Sequence, residues 1–320
     1  RLVYRALLET NHDLAIVAIN DMADLKTNAH LLQYDTVHGP LKENVEITGT
    51  DTFTVGGQTT KVCQQKEPAK LPWGDLGVDI VLECSGHFVE REQAAGHLDA
   101  GARKVLISAP GKGEMPFIVY GVNHTTLTPE DRIVSNASCT TNCLAPIAYC
   151  MNEAFGIEHG FMTTVHSYTG DQPSVDTMHK DLHRARAAAQ NMIPTSTGAA
   201  KAVGKVLPSL EGKLDGVAIR VPTPNVSLVD FTFVASRDVD VDDVNDAARQ
   251  AANGALNGIL ATYEAPLVSS DFNHSYLSSV FAIDGTTVME GNFVRVMAWY
   301  DNEWGFANRM LDTTAAMAAV

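Results

Sequence analysis

Basic side chains are scarce in this sequence. It has 23 lysines and arginines against 38 aspartates and glutamates in 320 residues, a formal net charge of −15. An acidic surface repels phosphodiester backbones and anionic lipid headgroups, which argues against nonspecific binding to nucleic acids or to anionic membranes. No run approaches the roughly 20 apolar residues that a membrane-spanning helix needs. Any site for an anionic ligand must therefore be built from local donors.

Cysteine is also scarce. The chain has 5 cysteines, an odd number at irregular spacing, which does not fit a disulfide framework. We therefore expect free thiols in a reducing compartment and a cytoplasmic protein. Cys63, Cys84 and Cys150 lie within or beside apolar runs, so we expect them to be buried. Cys143 lies one helical turn after Cys139, but no second pair with ligand-like spacing accompanies them, so no metal site is predicted.

The length and a hydrophobic share of 45% favour two domains, each with its own core. In the first part, strand-like runs such as "VDIVLECSG", "KVLISAP" and "FIVYGVN" alternate with helical segments such as "EREQAAGHLDAGA", which indicates a parallel sheet covered by helices. Gly56 and Gly57 separate two β-prone segments and predict a hairpin. Later, long alternating runs such as "NFVRVMAWYDN" indicate a mainly antiparallel sheet.

The stretch "SNASCTTNC" places Cys139 where an apolar strand becomes a helix. In a first helical turn, unpaired backbone N–H groups and the positive end of the helix dipole favour the thiolate, the nucleophilic form of cysteine. The sequence allows a second interpretation equally well, in which Ser138 simply caps the helix.

A thiolate nucleophile needs a base. His166 ends the strand-like run "FMTTVH" and enters a polar loop, a common way to present a catalytic side chain. A lone histidine is more often structural, and the residues alone leave both interpretations open.

Six segments carry a resemblance to phosphorylating glyceraldehyde-3-phosphate dehydrogenases: "NAHLLQYDTVHG", "IVSNASCTTNCLAP", "TVHSYTGDQ", "IPTSTGAAKAVGKVLP", "RVPTPNVS" and "WYDNEWGFANRM". The chain resembles this family from its first residue to its last. The resemblance implies an α/β fold with a doubly wound Rossmann NAD-binding domain (residues 1–138 and 302–320). It also implies an α+β catalytic domain with a large mixed, mainly antiparallel sheet (residues 139–301). The expected assembly is a homotetramer.

By this resemblance, Cys139 is the nucleophile and His166 its base. The implied reaction oxidises glyceraldehyde 3-phosphate through a hemithioacetal and a thioester, which inorganic phosphate cleaves to an acyl phosphate. The residues matching the family's substrate-phosphate site are Thr169, Asp171 and Arg220. Those matching the site of the attacking phosphate are Ser138, Thr140, Arg184, Thr197 and Gly198.

The implied cofactor is NAD. Asp21 ends a strand where an acidic side chain binds the adenosine ribose and repels a 2′-phosphate. Lys66, Ser108 and Asn302 match further cofactor contacts of the family. The pair Thr177-Met178 departs from the Leu-Pro of strictly NAD-dependent members, which leaves dual use of NAD and NADP open.

The family's first strand and its G-x-G-x-x-G loop have no counterpart here, because the sequence starts within the helix that follows them. We therefore expect a chain truncated at its N-terminus, with a Rossmann sheet split beside the strand at 15–19. Two other functions stay open. One is erythrose-4-phosphate dehydrogenase, which shares the nucleophile and base; the other is a noncatalytic binding protein on the same scaffold.

Overall fold

The computed structural model describes all 320 residues and divides into two compact units. Unit 1 comprises residues 1–118, 124–136 and 307–320, and unit 2 comprises residues 119–123 and 137–306. The sequence-based boundaries, at 138/139 and 301/302, lie within a few residues of these divisions. No helix combines the length and the apolar character that crossing a bilayer requires.

The helices are α1 (Leu2–Glu9), α2 (Leu25–Gln33), α3 (Arg91–Ala94), α4 (Gly96–Asp99), α5 (Cys139–Phe155), α6 (Ala199–Val206), α7 (Val241–Asn253) and α8 (Trp304–Ala318). The strands of unit 1 are β1 (Ala18–Asn20), β2 (Glu46–Ile47), β3 (Thr52–Val55), β4 (Gln58–Cys63), β5 (Ile80–Glu83), β6 (Lys104–Ile107) and β7 (Ile133–Ser135). Those of unit 2 are β8 (Ile157–Ser167), β9 (Ile193–Ser196), β10 (Leu214–Val221), β11 (Ser227–Ala235), β12 (Leu260–Tyr263), β13 (Ser279–Ala282), β14 (Thr287–Met289) and β15 (Phe293–Tyr300).

Unit 1 contains two separate sheets, with strand orders β1-β4-β3-β2 and β5-β6-β7. β1 and β5 are edge strands of different sheets, which agrees with the expected split. The predicted hairpin is confirmed: β3 and β4 pair antiparallel across Gly56 and Gly57, whose φ angles are 57° and 80°. Two consecutive positive φ values fit a type I′ turn, which glycine adopts without steric cost.

A hydrophobic core lies against the four-stranded sheet. Phe53 and Val55 are fully buried and cluster with Tyr4, Leu32 and Leu41. Burying a phenylalanine of this kind contributes roughly 1.5–3 kcal/mol. The hydroxyl of Tyr4 pairs with Thr60 at 2.8 Å, so its polar end is also satisfied inside the core.

Unit 2 is built on a sheet with the order β12-β13-β15-β11-β8-β10-β9, and β14 pairs with β15. Most neighbouring strands are antiparallel, whereas β8/β10 and β12/β13 are parallel. Burial alternates strictly along β11, as expected for a strand with one face on a core. α5 packs on this sheet and contacts α6 and α7.

Two local predictions were wrong, and a third was confirmed with one interruption. The run "FIVYGVN" forms a single bridge at Phe117 and then turns, because Val119 donates to the side chain of Asn123 at 2.8 Å instead of extending a ladder. The helix predicted over "EREQAAGHLDAGA" forms as α3 and α4, separated only by Ala95, whose own backbone angles are helical. Cys150 is buried, but Cys84 is exposed and Cys63 is half-buried. Cys84 follows an edge strand, so no neighbouring strand covers it on one side.

Candidate active site

Cys139 is the first residue of α5. Ser138 caps the helix: its Oγ accepts a hydrogen bond from the backbone N–H of Thr141 at 3.1 Å. Ala137, just before the cap, has a φ of 56°, an uncommon value for a residue with a Cβ. The cap and this sharp entry present the thiol at the N-terminal end of the helix, as the sequence predicted.

His166 lies near the end of β8, where its side chain is 3% exposed. Its Nε2 lies 3.5 Å from the sulfur of Cys139, within hydrogen-bonding range for sulfur. The structure therefore brings together the two residues that the sequence singled out separately.

The proton of the neutral His166 ring is on Nδ1. This atom lies 2.6 Å from the carbonyl oxygen of Ser167, a contact that requires a proton between the two atoms, and a carbonyl cannot supply it. Arg220 Nη1 is 2.9 Å from the same Nδ1, but it donates instead to Ser167 O at 2.9 Å and to Thr169 Oγ1 at 3.2 Å. Nε2 consequently presents its lone pair to the thiol of Cys139.

Burial acts on the pKa of both members of the pair. Burial first, and then the adjacent charge of Arg220, lower the pKa of His166 to about 3. Burial raises the pKa of the Cys139 thiol, although Arg220 and hydrogen bonds at Thr140 oppose the rise. Desolvation thus opposes the helix N–H groups and the charge of Arg220, which favour the thiolate.

Tyr300 packs against His166 and binds the neighbour of Cys139. Its hydroxyl pairs with Thr140 at 2.8 Å and with Thr164 at 2.9 Å, and its ring meets His166 edge-on with centroids 5.9 Å apart. The side chain is 1% exposed. Sequence reasoning missed this residue, although its place on the buried face of the alternating run "FVRVMAWY" was a usable signal.

Four of the predicted anion-binding residues are grouped beside His166. Arg184 Nη1 lies 3.0 Å from a carboxylate oxygen of Asp171, whose other oxygen accepts a hydrogen bond from Thr169. Arg220 contacts Thr169, and its pKa is lowered by burial first and then by the charge of Arg184. Two guanidinium groups whose charges repel each other favour binding of an anion.

Two residues that sequence reasoning missed hold Arg184 in place. Arg184 Nε donates to Thr195 Oγ1 at 3.0 Å, and Thr195 donates in turn to Asp181 at 2.6 Å. Thr195 lies on β9, next to the predicted Thr197. Thr195 lies within the quoted segment "IPTSTGAAKAVGKVLP", whereas Asp181 lies outside all six segments.

Thr197 and Gly198 lie at the start of α6. Thr197 Oγ1 accepts from the N–H of Ala199 at 3.2 Å, and Gly198 is the exposed N-cap. The hydroxyl of Thr141 donates to the carbonyl of Ala199 at 3.3 Å, which ties the first turns of α5 and α6 together. The predicted residues Ser138, Thr140, Thr197 and Gly198 therefore all lie at two connected helix N-termini, where N–H groups suit anions.

Two of the predicted cofactor residues lie at the carboxyl edge of the four-stranded sheet of unit 1. Asp21 follows β1 and Lys66 lies just beyond β4, its parallel neighbour. Asn20 exchanges hydrogen bonds of 2.9 Å with the backbone of Gln65, which holds this loop against the end of β1. The exposed carboxylate of Asp21 accepts from the N–H of Ala23 and forms no ion pair, so it fits a ribose diol.

Ser108 directly follows β6, also at a carboxyl strand end. Asn302 belongs to unit 2, and its Oδ1 accepts from Ser227 at 2.7 Å. This bond fixes the orientation of the amide and leaves its N–H groups to donate to a carboxamide oxygen. These donor sets fit NAD. No group of three or more His, Cys, Asp or Glu side chains is arranged to hold a metal ion.

One unit has acidic and polar residues at its carboxyl strand ends, and the other has a cysteine–histidine pair and two arginines; together these features are typical of a thiol-dependent oxidoreductase. Residues 1–91 match the model of the glyceraldehyde 3-phosphate dehydrogenase NAD binding domain, and residues 138–302 match that of its C-terminal domain. The chain therefore belongs to the glyceraldehyde-3-phosphate dehydrogenase family, and its cofactor is NAD.

Similar proteins cover nearly the whole chain. A glyceraldehyde-3-phosphate dehydrogenase of Xanthobacter flavus is 59% identical over 318 residues, which is 99% of this chain and 95% of the relative. Those of Pseudomonas aeruginosa and Geobacillus stearothermophilus are 56% and 53% identical, each over 100% of this chain and 95% of the relative. The expected fold class and the assignment as an NAD-dependent phosphorylating oxidoreductase are thereby confirmed.

Proposed function

We propose that the chain oxidises D-glyceraldehyde 3-phosphate to 1,3-bisphosphoglycerate, using NAD and inorganic phosphate. The observation that carries this proposal is the contact of 3.5 Å between Cys139 Sγ and His166 Nε2, beside two guanidinium groups. A thiol with a base supports acyl transfer, and paired arginines support phosphorylated substrates.

The chemistry begins with transfer of the Cys139 thiol proton to His166 Nε2. The sulfur attacks the aldehyde carbon, and the imidazolium returns its proton to the carbonyl oxygen, which gives a hemithioacetal. In this proposal the N–H of Cys139, in the first turn of α5, stabilises negative charge on this oxygen. Bound NAD supplies the hydride acceptor.

His166 Nε2 takes the hydroxyl proton of the hemithioacetal as the hydride leaves, which gives a thioester on Cys139. Phosphate then attacks the thioester carbonyl, the carbon–sulfur bond breaks, and the acyl phosphate and the thiolate are released. Ser167 O holds the Nδ1 proton throughout, so the ring exchanges protons only at Nε2.

Two groups of side chains accommodate the two phosphates in this proposal. Thr169, Asp171 and Arg220 surround the phosphate of the substrate. The attacking phosphate uses the residues at the helix N-termini together with Arg184, namely Ser138, Thr140, Thr197 and Gly198. Asp181 and Thr195 fix the direction of the Arg184 guanidinium.

For NAD, we propose Asp21 at the adenosine ribose, Lys66 and Ser108 along the dinucleotide, and Asn302 at the carboxamide. The fit of the donors described above supports these roles. We further propose a homotetramer in the cytoplasm, with no nucleic-acid or membrane partner, as the family resemblance and the net charge of −15 suggest.

The direct test is to trap the thioester. The protein is incubated with the aldehyde and oxidised NAD without phosphate, and its peptides are analysed by mass spectrometry. We expect a phosphoglyceroyl group on Cys139 that phosphate removes. Its absence would refute the mechanism, and the Cys139→Ala variant is the control for nonspecific acylation.

Comparing initial rates on glyceraldehyde 3-phosphate and erythrose 4-phosphate separates the proposed activity from its nearest alternative. A noncatalytic role would predict loss of the thiol or the base, and both residues are present.

A further inference from the structure

Ser227 joins two parts of the proposed site. It is the first residue of β11, which lies between β8 and β15 in the sheet. Its hydroxyl oxygen accepts from the backbone N–H of Ser167 at 3.0 Å, and the same hydroxyl donates to Asn302 Oδ1 at 2.7 Å. Ser167 directly follows the base His166. One hydroxyl group therefore contacts both the chain beside the base and the amide that is proposed to bind the nicotinamide.

The two hydrogen bonds determine how the amide of Asn302 is turned. A serine hydroxyl has one proton and two lone pairs, whereas a backbone N–H can only donate. Because the N–H of Ser167 occupies a lone pair of Ser227, the serine proton is available for the acceptor Oδ1 of Asn302. If the amide were turned over, that proton would have no acceptor, and Ser227 is only 1% exposed. A buried donor without a partner costs free energy, so the amide keeps the observed orientation.

The backbone before Ser227 supports the same arrangement. Val226 has a φ of 69°, in the left-handed region, which is a genuine outlier for a β-branched residue. It is buried, and its carbonyl oxygen accepts a hydrogen bond from Ser167 Oγ at 2.7 Å. Residues with such backbone angles persist only where their surroundings hold them, and they are concentrated at functional sites. Here the strained residue is the one that sets the position of Ser227.

The backbone of Asn302 is fixed by its neighbour Asp301. This carboxylate is 1% exposed and accepts from the N–H groups of Glu303 and Trp304 at 2.9 and 2.8 Å, at the start of α8. Its other oxygen accepts from the N–H of His274 at 2.7 Å. Asn302 is therefore held at its backbone by Asp301 and at its side chain by Ser227.

We propose that Ser227 is a positioning residue for the cofactor. By occupying Oδ1 of Asn302, it commits the amide to donating, so the site selects a hydrogen-bond acceptor on the ring substituent of the nicotinamide. It also holds that donor in a fixed relation to the strand that carries His166. This inference rests on the proposed function for the assignment of Asn302 to the carboxamide.

Two cofactor analogues separate the donor and acceptor roles of the ring substituent. The acetylpyridine analogue of NAD keeps the carbonyl oxygen but has a methyl group in place of the amide nitrogen. The thionicotinamide analogue keeps the N–H groups but has sulfur, a weak acceptor, in place of the oxygen. Calorimetric titrations of the whole chain, without aldehyde or phosphate, give the ratio of their dissociation constants, thionicotinamide over acetylpyridine. Because the analogues share the rest of the dinucleotide, this ratio reports the partner of the ring substituent.

The unaltered protein should bind the acetylpyridine analogue more tightly, because Asn302 only donates. In Ser227→Ala the amide can turn over and accept from the thioamide nitrogen, so the ratio should fall about fivefold, the effect of one hydrogen bond. Ser227→Cys fills the same space with a weak donor, so its ratio should fall by less. Ser279→Ala is the matched control: it removes a fully buried hydroxyl of the same sheet that contacts Cys143, and its ratio should equal that of the unaltered protein.

An unchanged ratio in Ser227→Ala would overturn the inference. So would an equal fall in Ser279→Ala, which would attribute the change to a general loosening of the sheet. If Ser227→Ala does not fold, the ratio in Ser227→Cys decides the question in the same way. Equal binding of both analogues by the unaltered protein would refute the assignment of Asn302 to the carboxamide, and the inference with it. The titrations involve no turnover, so their outcome is independent of whether the proposed dehydrogenase activity is found.

Discussion

At the scale of single residues, the two cysteines of α5 have opposite surroundings. Cys139 is half-buried beside His166, whereas Cys143 is fully buried and its sulfur lies 3.5 Å from the hydroxyl of Ser279. Burial raises the pKa of Cys143 to about 12. Its thiol therefore stays protonated, and no base contacts it.

We predict that Cys139→Ala lowers kcat/KM by at least about a thousandfold, because a methyl group cannot form the thioester. The variant should keep its fold, since the residue is small and lies at a helix end. Steady-state rates and far-UV circular dichroism check both expectations. Cys143→Ala is the control and should retain most of the activity; complete inactivation of that variant would mean that Cys143 takes part in the reaction.

Sequence predicted the positions of the reacting groups better than their electrostatic surroundings. The helix start at Cys139 and the strand end at His166 follow from local pattern. Their protonation depends on burial by distant segments, including Arg220, 54 residues beyond His166. Tyr300 was not predicted for a similar reason, since its partner Thr140 is 160 residues away in the sequence.

At the scale of elements, a buried polar chain links β5 to α4. Trp73 Nε1 donates to His97 Nδ1 at 3.0 Å, so the ring proton of His97 is on Nε2, which donates to Glu83 at 2.9 Å. Burial by itself raises the pKa of Glu83, but hydrogen bonds from His97 and Ser85 outweigh it and lower the pKa overall.

The contribution of Glu83 to stability is therefore present above its unfolded-state pKa, about 4.3, and is lost as the pH falls through its lower folded-state pKa. We predict that Glu83→Gln lowers the free energy of unfolding at neutral pH by about 1–3 kcal/mol. Below about pH 4 its stability should fall less steeply with pH than that of the unaltered protein. Urea titrations across the acid range measure this. Glu67→Gln, at an ion pair whose glutamate is 63% exposed, should change neither quantity appreciably.

The N-terminus of α7 is held by a reciprocal cap. Asp240 accepts from the N–H of Asp243 at 2.8 Å, and Asp243 accepts from the N–H of Asp240 at 3.2 Å. Asp240→Ala should lower the free energy of unfolding by about 1 kcal/mol. Chemical denaturation measures it, with Asp242→Ala as a control that removes a first-turn charge but no cap. Equal losses in the two variants would attribute the effect to charge alone.

Elements with local chemical signals were predictable, and those decided by neighbouring segments were not. Gly56 and Gly57 supply the positive φ angles that a two-residue hairpin needs, so that turn follows from its own residues. The run "FIVYGVN" has the apolar content of a strand, but it has no complete partner strand and turns at Val119 instead. The division of the parallel strands into two sheets was predictable only through the family resemblance.

At the scale of the whole molecule, the net charge of −15 opposes the local field of Arg184 and Arg220. The two fields differ in range. Raising the salt concentration from about 0.01 M to 0.1 M shortens the screening length from about 30 Å to about 10 Å. The added salt therefore weakens the repulsion of an anion by distant acidic side chains more than its attraction by the two nearby arginines.

We predict that the ratio of alkylation rates of Cys139 by iodoacetate and iodoacetamide rises over this range. The ratio reports the electrostatic field at the thiol, because the two reagents differ in charge but react with the same thiolate fraction. Quantitative mass spectrometry of the Cys139 peptide gives both rates, and glutathione gives the reference. A ratio that falls relative to that reference would show that the arginines already dominate at low salt.

Every side chain that the proposal assigns to acyl transfer, and both arginines, belong to unit 2. Cleavage of a ready-made thioester by phosphate requires no change of oxidation state, so that half of the catalytic cycle needs no hydride acceptor. If an added activated ester acylated Cys139, phosphate could cleave the resulting thioester to an acyl phosphate. The protein would then act as an acyltransferase without any redox step.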